Sequence, residues 1–178
     1  MSSDRLTLFS YEILTLVGSG GASAHDLLTM VKRGRIYAWA GESQYYVEPK
    51  RLAELGYLRA RRAPGKTRER LVYTLTEKGL EALREWARTP VQFPRIRHEA
   101  VVRLLAADLV GEETVRESVL GLRDEIAELR LLLSEGEAAA ESLPHRRKYL
   151  LLNQRYAHGL LDLNLRWLEE VERELGAG

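Results

Sequence analysis

At 178 residues, 45% apolar and 30% charged, the chain is long enough to bury a core and lacks the composition of a disordered segment. The absence of cysteine excludes disulfides and thiolate metal sites and suits a reducing cytoplasm, and no secretory leader or apolar run of roughly 18 residues suggests export or membrane spanning. Residues 1–90 hold 15 Lys and Arg against 10 Asp and Glu, while residues 91–178 hold 12 against 16, so the net charge of +1 divides into a basic front and an acidic back. That asymmetry predicts a polyanionic partner for the front half alone.

Leu6, Phe9, Ile13, Leu16 and Val17 recur at helical spacing and predict a first helix over 6–17, stopped by the glycines of Gly18–Gly21. That cluster lacks the Lys-Ser/Thr ending of a phosphate-binding loop and reads as a C-cap and turn. Ser23 and Asp26 form an approximate capping box for a second helix, with Leu27, Leu28, Met30 and Val31 on its inner side. Lys32, Arg33 and Arg35 complement its C-terminal dipole. His25, near its start, reads as a surface residue.

Trp39 is large enough to anchor a third helix against the core. Pro49 allows that helix two courses, a short one starting near Glu48 or a run from Ser43 with a distortion. The longer run is preferred, because it places Tyr46, Leu52 and Leu55 on an inner side. Gly56 closes it. The pattern then switches to period two, with Leu58 and Ala60 facing in against Tyr57, Arg59 and Arg61, and Leu71, Tyr73 and Leu75 alternating on the return. A Pro64-Gly65 turn joins the strands, so a hairpin is predicted, with Arg59, Arg61, Arg62, Lys66, Arg68 and Arg70 in twelve residues. Thr76 caps a fourth helix that turns Leu80, Leu83, Trp86 and Ala87 inward. Pro90 and Pro94 mark a boundary, giving domains 1–90 and 91–178.

From Arg95 the pattern is helical. Val101, Leu104, Leu105 and Leu109 form a stripe ended by Gly111, and Val115, Val119, Leu122, Ile126, Leu129 and Leu133 a heptad-like one over 112–135. An interruption is predicted over 136–144. A last helix over 145–175 carries Tyr149, Leu152, Tyr156, Leu160, Leu163, Trp167 and Val171 on one side, and Leu161, Leu165 and Leu168 on another. This exceeds what one hairpin partner can cover, so a homodimer formed through the first set is predicted. The fold class is mainly α with a small β-hairpin wing, a winged helix-turn-helix followed by an all-α dimerisation domain.

Catalysis finds no support. The histidines are scattered, no nucleophile motif or metal-ligand spacing is present, and no cofactor is predicted. DNA binding has a coherent mechanism, in which the third helix enters the major groove and a basic wing lies on the backbone. The helix would present Ser43, Gln44, Tyr45, Lys50 and Arg51, with Tyr46 counted beside them although its spacing turns it inward. The wing would contribute Lys66, Thr67, Arg68 and Arg70. A winged-helix protein-interaction module without DNA binding is the alternative, against which the basic hairpin argues.

The segment Ser43–Leu58, with Tyr46, Lys50-Arg51-Leu52 and Leu55-Gly56-Tyr57-Leu58, resembles the third-helix motif of the PadR family of transcriptional regulators. Ser23-Ala-His-Asp-Leu27 and Arg70-Leu-Val-Tyr-Thr-Leu-Thr-Glu-Lys-Gly79 agree, while Pro49 stands where the family usually has leucine and His25 where tyrosine is common. The resemblance implies a dimeric repressor of a roughly palindromic operator, released by a small, often aromatic compound or a stress signal. An effector pocket between the domains, lined by Trp86, Phe93, His98, Tyr156 and Trp167, is the matching expectation, with core packing the alternative role for each.

Overall fold

The computed structural model describes residues 5–64 and 69–176. The chain forms two compact units, one from the residues up to Lys32 and Tyr37–Gln92, the other from Arg33–Ile36 and the residues from Phe93 on.

In the first unit α1 (Leu8–Val17) is capped by Thr7, whose Oγ1 accepts from the Ser10 amide while Ser10 Oγ accepts from the Thr7 amide. A two-residue strand β1 (Ala22–Ser23), which the sequence pattern does not announce, precedes α2 (Ala24–Arg33). Ser23 and Asp26 exchange hydrogen bonds as their spacing predicts: the Ser23 amide donates to Asp26 Oδ2 and the Asp26 amide to Ser23 Oγ. A 3-10 turn (Arg35–Tyr37) leads to α3 (Gln44–Glu54), which runs unbroken through Pro49. The hairpin β2 (Leu58–Ala63) and β3 (Arg70–Leu75) follows, then α4 (Glu77–Ala87).

The sheet is antiparallel in the order β1-β3-β2, with Ala60 opposite Tyr73 and Arg62 opposite Leu71. Ile13, Leu14, Leu27, Tyr45, Leu52, Leu58 and Tyr73 make the core of this unit. From the hairpin Leu58 and Tyr73 are buried in it and Leu75 packs against it. Ala60, expected inside, is exposed, because β2 leaves the core one pair beyond Leu58. Trp86 and Ala87, also expected inward, are exposed at the end of α4, where the Trp86 ring stacks on Tyr11 at 4.8 Å.

The second unit holds α5 (Glu99–Leu104), α6 (Ala107–Val110), α7 (Glu112–Leu120), α8 (Leu122–Glu141) and α9 (Pro144–Leu175). The stripe of Val101, Leu105 and Leu109 does not form one buried face. The helix breaks at Leu105 and Ala106, which rotates the register, so that Leu104 and Ala107 turn in and those three are exposed. Gly121 divides the expected single helix into α7 and α8, in keeping with its low helix propensity. Helix α8 instead continues through Gly136, where an interruption was expected. A Cβ at Gly136 would meet only the far end of the flexible Gln154 side chain of α9, at 2.7 Å, so no backbone contact requires glycine here and the helix passes through it.

Gly79, by contrast, faces backbone. It lies in the first turn of α4, and a Cβ there would meet the Tyr57 carbonyl oxygen at 2.2 Å. Alanine normally stabilises a helix relative to glycine by about 1 kcal/mol. Here the clash reverses the sign, and Gly79→Ala should cost about 1–3 kcal/mol, measured as a loss of unfolding free energy in denaturant titrations.

Candidate nucleic-acid interface

Residues of α3 divide by helical spacing into a buried row and an exposed face. The buried row is Tyr45, Pro49 and Leu52: Leu52 is inside as expected, while Tyr45 takes the place expected of Tyr46, and Pro49 rather than Leu55 is fully buried. Ser43, Gln44, Tyr46, Val47 and Lys50 are exposed, and Leu55 is half-buried. Tyr45 is therefore removed from the surface set. It is 1% exposed, its ring meets Phe9 edge-on at 5.0 Å, and its hydroxyl donates to Glu12 Oε1 at 3.0 Å. Burial, followed by the bond to Glu12 and that residue's charge, pushes the Tyr45 hydroxyl pKa well above its ordinary value. Tyr46 takes the outward position.

Arg51 also departs from expectation. Its Nε donates to Glu48 Oε2 at 2.8 Å, and its Nη2 reaches Glu48 Oε1 at 2.7 Å and Ser10 Oγ at 3.1 Å. Its side chain is three-quarters covered, which leaves little of it to reach a base. Ser10, fully buried, donates to Glu48 Oε1 at 2.7 Å. Burial raises the Glu48 carboxyl pKa, but the hydrogen bonds from Arg51 and Ser10 and the Arg51 charge outweigh it and hold the carboxyl below its ordinary 4.5. Trp39, expected to anchor the helix from inside, is 59% exposed, yet its Nε1 donates to Glu12 Oε2 at 2.9 Å and its ring meets Phe9 at 5.7 Å.

On the hairpin, Arg59 and Arg61 are exposed on the face opposite Leu58 and Tyr73, and Arg62 pairs with Glu69 at 3.3 Å. Arg70 is exposed but bound to Asp26 of α2 at 3.2 Å. Burial raises the Asp26 carboxyl pKa, while its bonds to Ser23 and the Arg70 charge bring it below the ordinary range. Lys66, Thr67 and Arg68 lie outside the described residues. Sequence reasoning assigned no contact to Arg59 and Arg61, although the period-two alternation already put them outward.

The expected effector residues are distributed over both units. Trp86 stacks on Tyr11 in the first unit. In the second, His98 Nε2 bonds Asn164 Oδ1 at 2.7 Å and its ring meets Trp167 edge-on at 5.5 Å. Asn164 Nδ2 donates to the Leu160 carbonyl, which fixes the amide so that His98 Nε2 carries the hydrogen. Phe93 is 86% exposed, and Tyr156 lies eleven residues before Trp167 on α9, about 16 Å along the helix. The structure thus joins His98 and Trp167, with Tyr156 three turns away.

Of the expected dimerisation face, Tyr149, Leu152, Tyr156 and Leu163 are exposed, and Leu160 is half-buried. Val171 is buried and Trp167 partly so, against the α7–α8 side. The cause is what packs at that end of α9: Trp167 lies on the same side as Tyr149 but is met there by His98, and Val171 joins the core of the second unit. Among the described residues no helix is long and apolar enough to cross a membrane, and no group of three or more His, Asp or Glu could hold a metal.

No family model matches the chain. It is 30% identical over 98 residues to the negative transcriptional regulator PadR of Bacillus subtilis, a match spanning 54% of this chain and about half (50%) of that relative. The crystal structure of Bacillus subtilis PadR with operator DNA superposes with a TM-score of 0.69 at 20% identity, covering 97% of this chain and 98% of the other. The same protein with p-coumaric acid gives 0.63 at 21% identity, covering 96% and 98%. The Vibrio cholerae virulence activator AphA gives 0.72 at 25% identity, covering 94% and 98%. The likeness to PadR structures carries the fold along nearly the whole chain.

The Glu48 cluster has a pH signature. A carboxyl whose pKa is lower in the folded state contributes stability above its unfolded value and loses it as pH falls through the folded one. Glu48→Ala should cost about 2–3 kcal/mol at neutral pH. The gap to the unmodified protein should narrow as the pH is taken below 4.5, a trend that paired denaturant titrations across pH will reveal.

Proposed function

We propose that the chain is a PadR-family transcriptional regulator that acts as a dimeric, sequence-specific DNA-binding repressor in the cytoplasm. The observation that carries this reading is the exposed polar face of α3, with Gln44, Tyr46 and Lys50, beside a hairpin that exposes Arg59 and Arg61. Helix α3 enters the major groove, where Ser43, Gln44, Tyr46 and Lys50 meet base edges. Lys66 and Arg68 meet the DNA backbone, neutralising phosphates and releasing counterions, and Thr67 offers a hydroxyl to a phosphate oxygen. Arg70 contributes charge while it remains tied to Asp26.

The exposed stripe of α9 packs on a second copy, giving two reading heads for a pseudo-palindromic operator with half-sites one turn, about 34–36 Å, or a multiple apart. A small aromatic effector is the release signal, a reading supported by the p-coumaric acid complex of Bacillus subtilis PadR. The His98–Trp167 contact, within the second unit, is its candidate subsite.

Selection from a random duplex pool should enrich a two-fold-symmetric sequence; enrichment of nothing refutes the operator reading. Lys66→Ala and Arg68→Ala should weaken binding to all duplexes and each lower the salt slope by about 1, read from titrations at several salt concentrations. Leu152→Glu with Leu163→Glu should yield monomers in solution and lose about 100-fold or more in operator affinity. A dimer that survives both charges removes α9 from the interface.

A further inference from the structure

Pro49 is the sixth residue of α3, beyond the first turn in which proline fits without loss. It has no N–H to give the Tyr45 carbonyl, so the helical ladder is one bond short between Gln44–Glu48 and the rest of the helix. Gln44, Tyr46 and Val47, all exposed, lie on the N-terminal side of that gap. An isolated helix of this sequence would be free to bend there.

Two carboxylates tie α1 to the part of α3 before the gap, and one of them also reaches across the gap to Arg51. Glu12, on α1, receives the Tyr45 hydroxyl at 3.0 Å on one oxygen and the Trp39 indole N–H at 2.9 Å on the other. Both donor rings also meet Phe9 of α1 edge-on. Glu48, on α3, receives the Ser10 hydroxyl of α1 at 2.7 Å and both Arg51 donors at 2.7 and 2.8 Å. The arrangement is reciprocal, with one acid from each helix reaching the other. Its polar parts are largely withdrawn from water, Ser10 and Tyr45 being buried and the Glu48 side chain 13% exposed.

We propose that α1 is the positioning element of α3, and that Glu12 and Glu48, with Arg51 as the partner of Glu48, set which base edges α3 can reach. This rests on the DNA-reading function proposed above. The two acids touch no base; they are positioning residues. Base contacts need side chains held in a defined geometry, whereas attraction to phosphates depends on charge and tolerates a loose helix. Loosening the clamps therefore erodes discrimination between sequences and leaves general affinity for duplex in place.

The test uses the full chain carrying Glu12→Gln or Glu48→Gln, each nearly isosteric, titrated on the duplex selected by the unmodified protein and on a scrambled duplex of equal length. Amide hydrogen exchange along α3 is measured on the same samples. Affinity for the scrambled duplex should stay within about twofold, since no phosphate contact is removed. The preference for the selected duplex should fall about tenfold, the equivalent of one lost base contact. Exchange should quicken in Tyr45–Glu48 and remain unchanged in β2 and β3. An unmodified protein that does not distinguish the two duplexes overturns the DNA reading and this inference with it. Variants that keep both the preference and the slow exchange overturn the inference alone, as do variants that lose both affinities equally. Should Glu48→Gln fail to fold, Glu12→Gln decides the matter, because glutamine retains one oxygen to accept a hydrogen bond.

Discussion

Burying Tyr45 removes a phenolic hydroxyl from water, and Glu12 is the group that receives it. Without an acceptor, a buried hydroxyl costs about 1–3 kcal/mol, so the position of Tyr45 is only as secure as that bond. Much of the first unit follows from it. The ring fills the centre of the core beside Phe9 and Leu52, and its direction fixes the rotation of α3 about its own axis. That rotation decides that Gln44, Tyr46 and Lys50 are outside. The Ser10–Glu48–Arg51 cluster holds the same rotation one turn further on, and removes from the exposed face the arginine that the sequence offered to it.

The sheet is built on the same logic of backbone positions fixed by local chemistry. Thr76 Oγ1 donates to the Gly56 and Tyr57 carbonyls and also accepts the Gly79 amide, so one side chain joins the end of α3, the start of β2 and the start of α4. Lys78 adds a bond to the Leu55 carbonyl while its ammonium lies over the Tyr57 ring. At the other end of β3, where Arg70 pairs with Ala63 beside the turn, Asp26 receives Ser23 and Arg70, which ties that end of the hairpin to α2. The ladder is thus fastened at both ends. Arg59 and Arg61, between these fastenings on β2, are exposed.

The order of elements was legible in the sequence because it rests on local signals. The Thr76 cap, the Ser23–Asp26 pair, the Gly56 stop and the period-two hairpin all act within a few residues. Helix α3 shows where that reading ends. Its existence and extent through Pro49 followed from the pattern, but its rotation did not, since Tyr45 and Tyr46 are equally fit for the core by composition. The choice is made by Glu12, 33 residues away, and by Ser10, 41 residues from Arg51. Nothing in the local pattern marks those two residues. Likewise Gly136 reads as a helix stop, yet α8 runs through it to Glu141.

Helix α9 is the same problem in longer form. Its inner side, Ala157, Leu161, Leu168 and Val171, packs in the core of the second unit. Tyr149, Leu152, Tyr156 and Leu163 stand outward at spacings of three, four and seven, the repeat of a helix meant to lie along another helix. Gly159 completes that repeat between Tyr156 and Leu163. A glycine within a helix costs about 1 kcal/mol relative to alanine, and a Cβ at this position would meet nothing within 4 Å. No contact among the described residues therefore accounts for it. A glycine at the middle of an apolar stripe does have a use when a second helix must come close, because it lowers the surface there to the backbone itself. The proposed second copy supplies such a helix. In a two-fold pairing the same stripe faces itself, so the large side chains of one copy would lie beside the shallow position of the other.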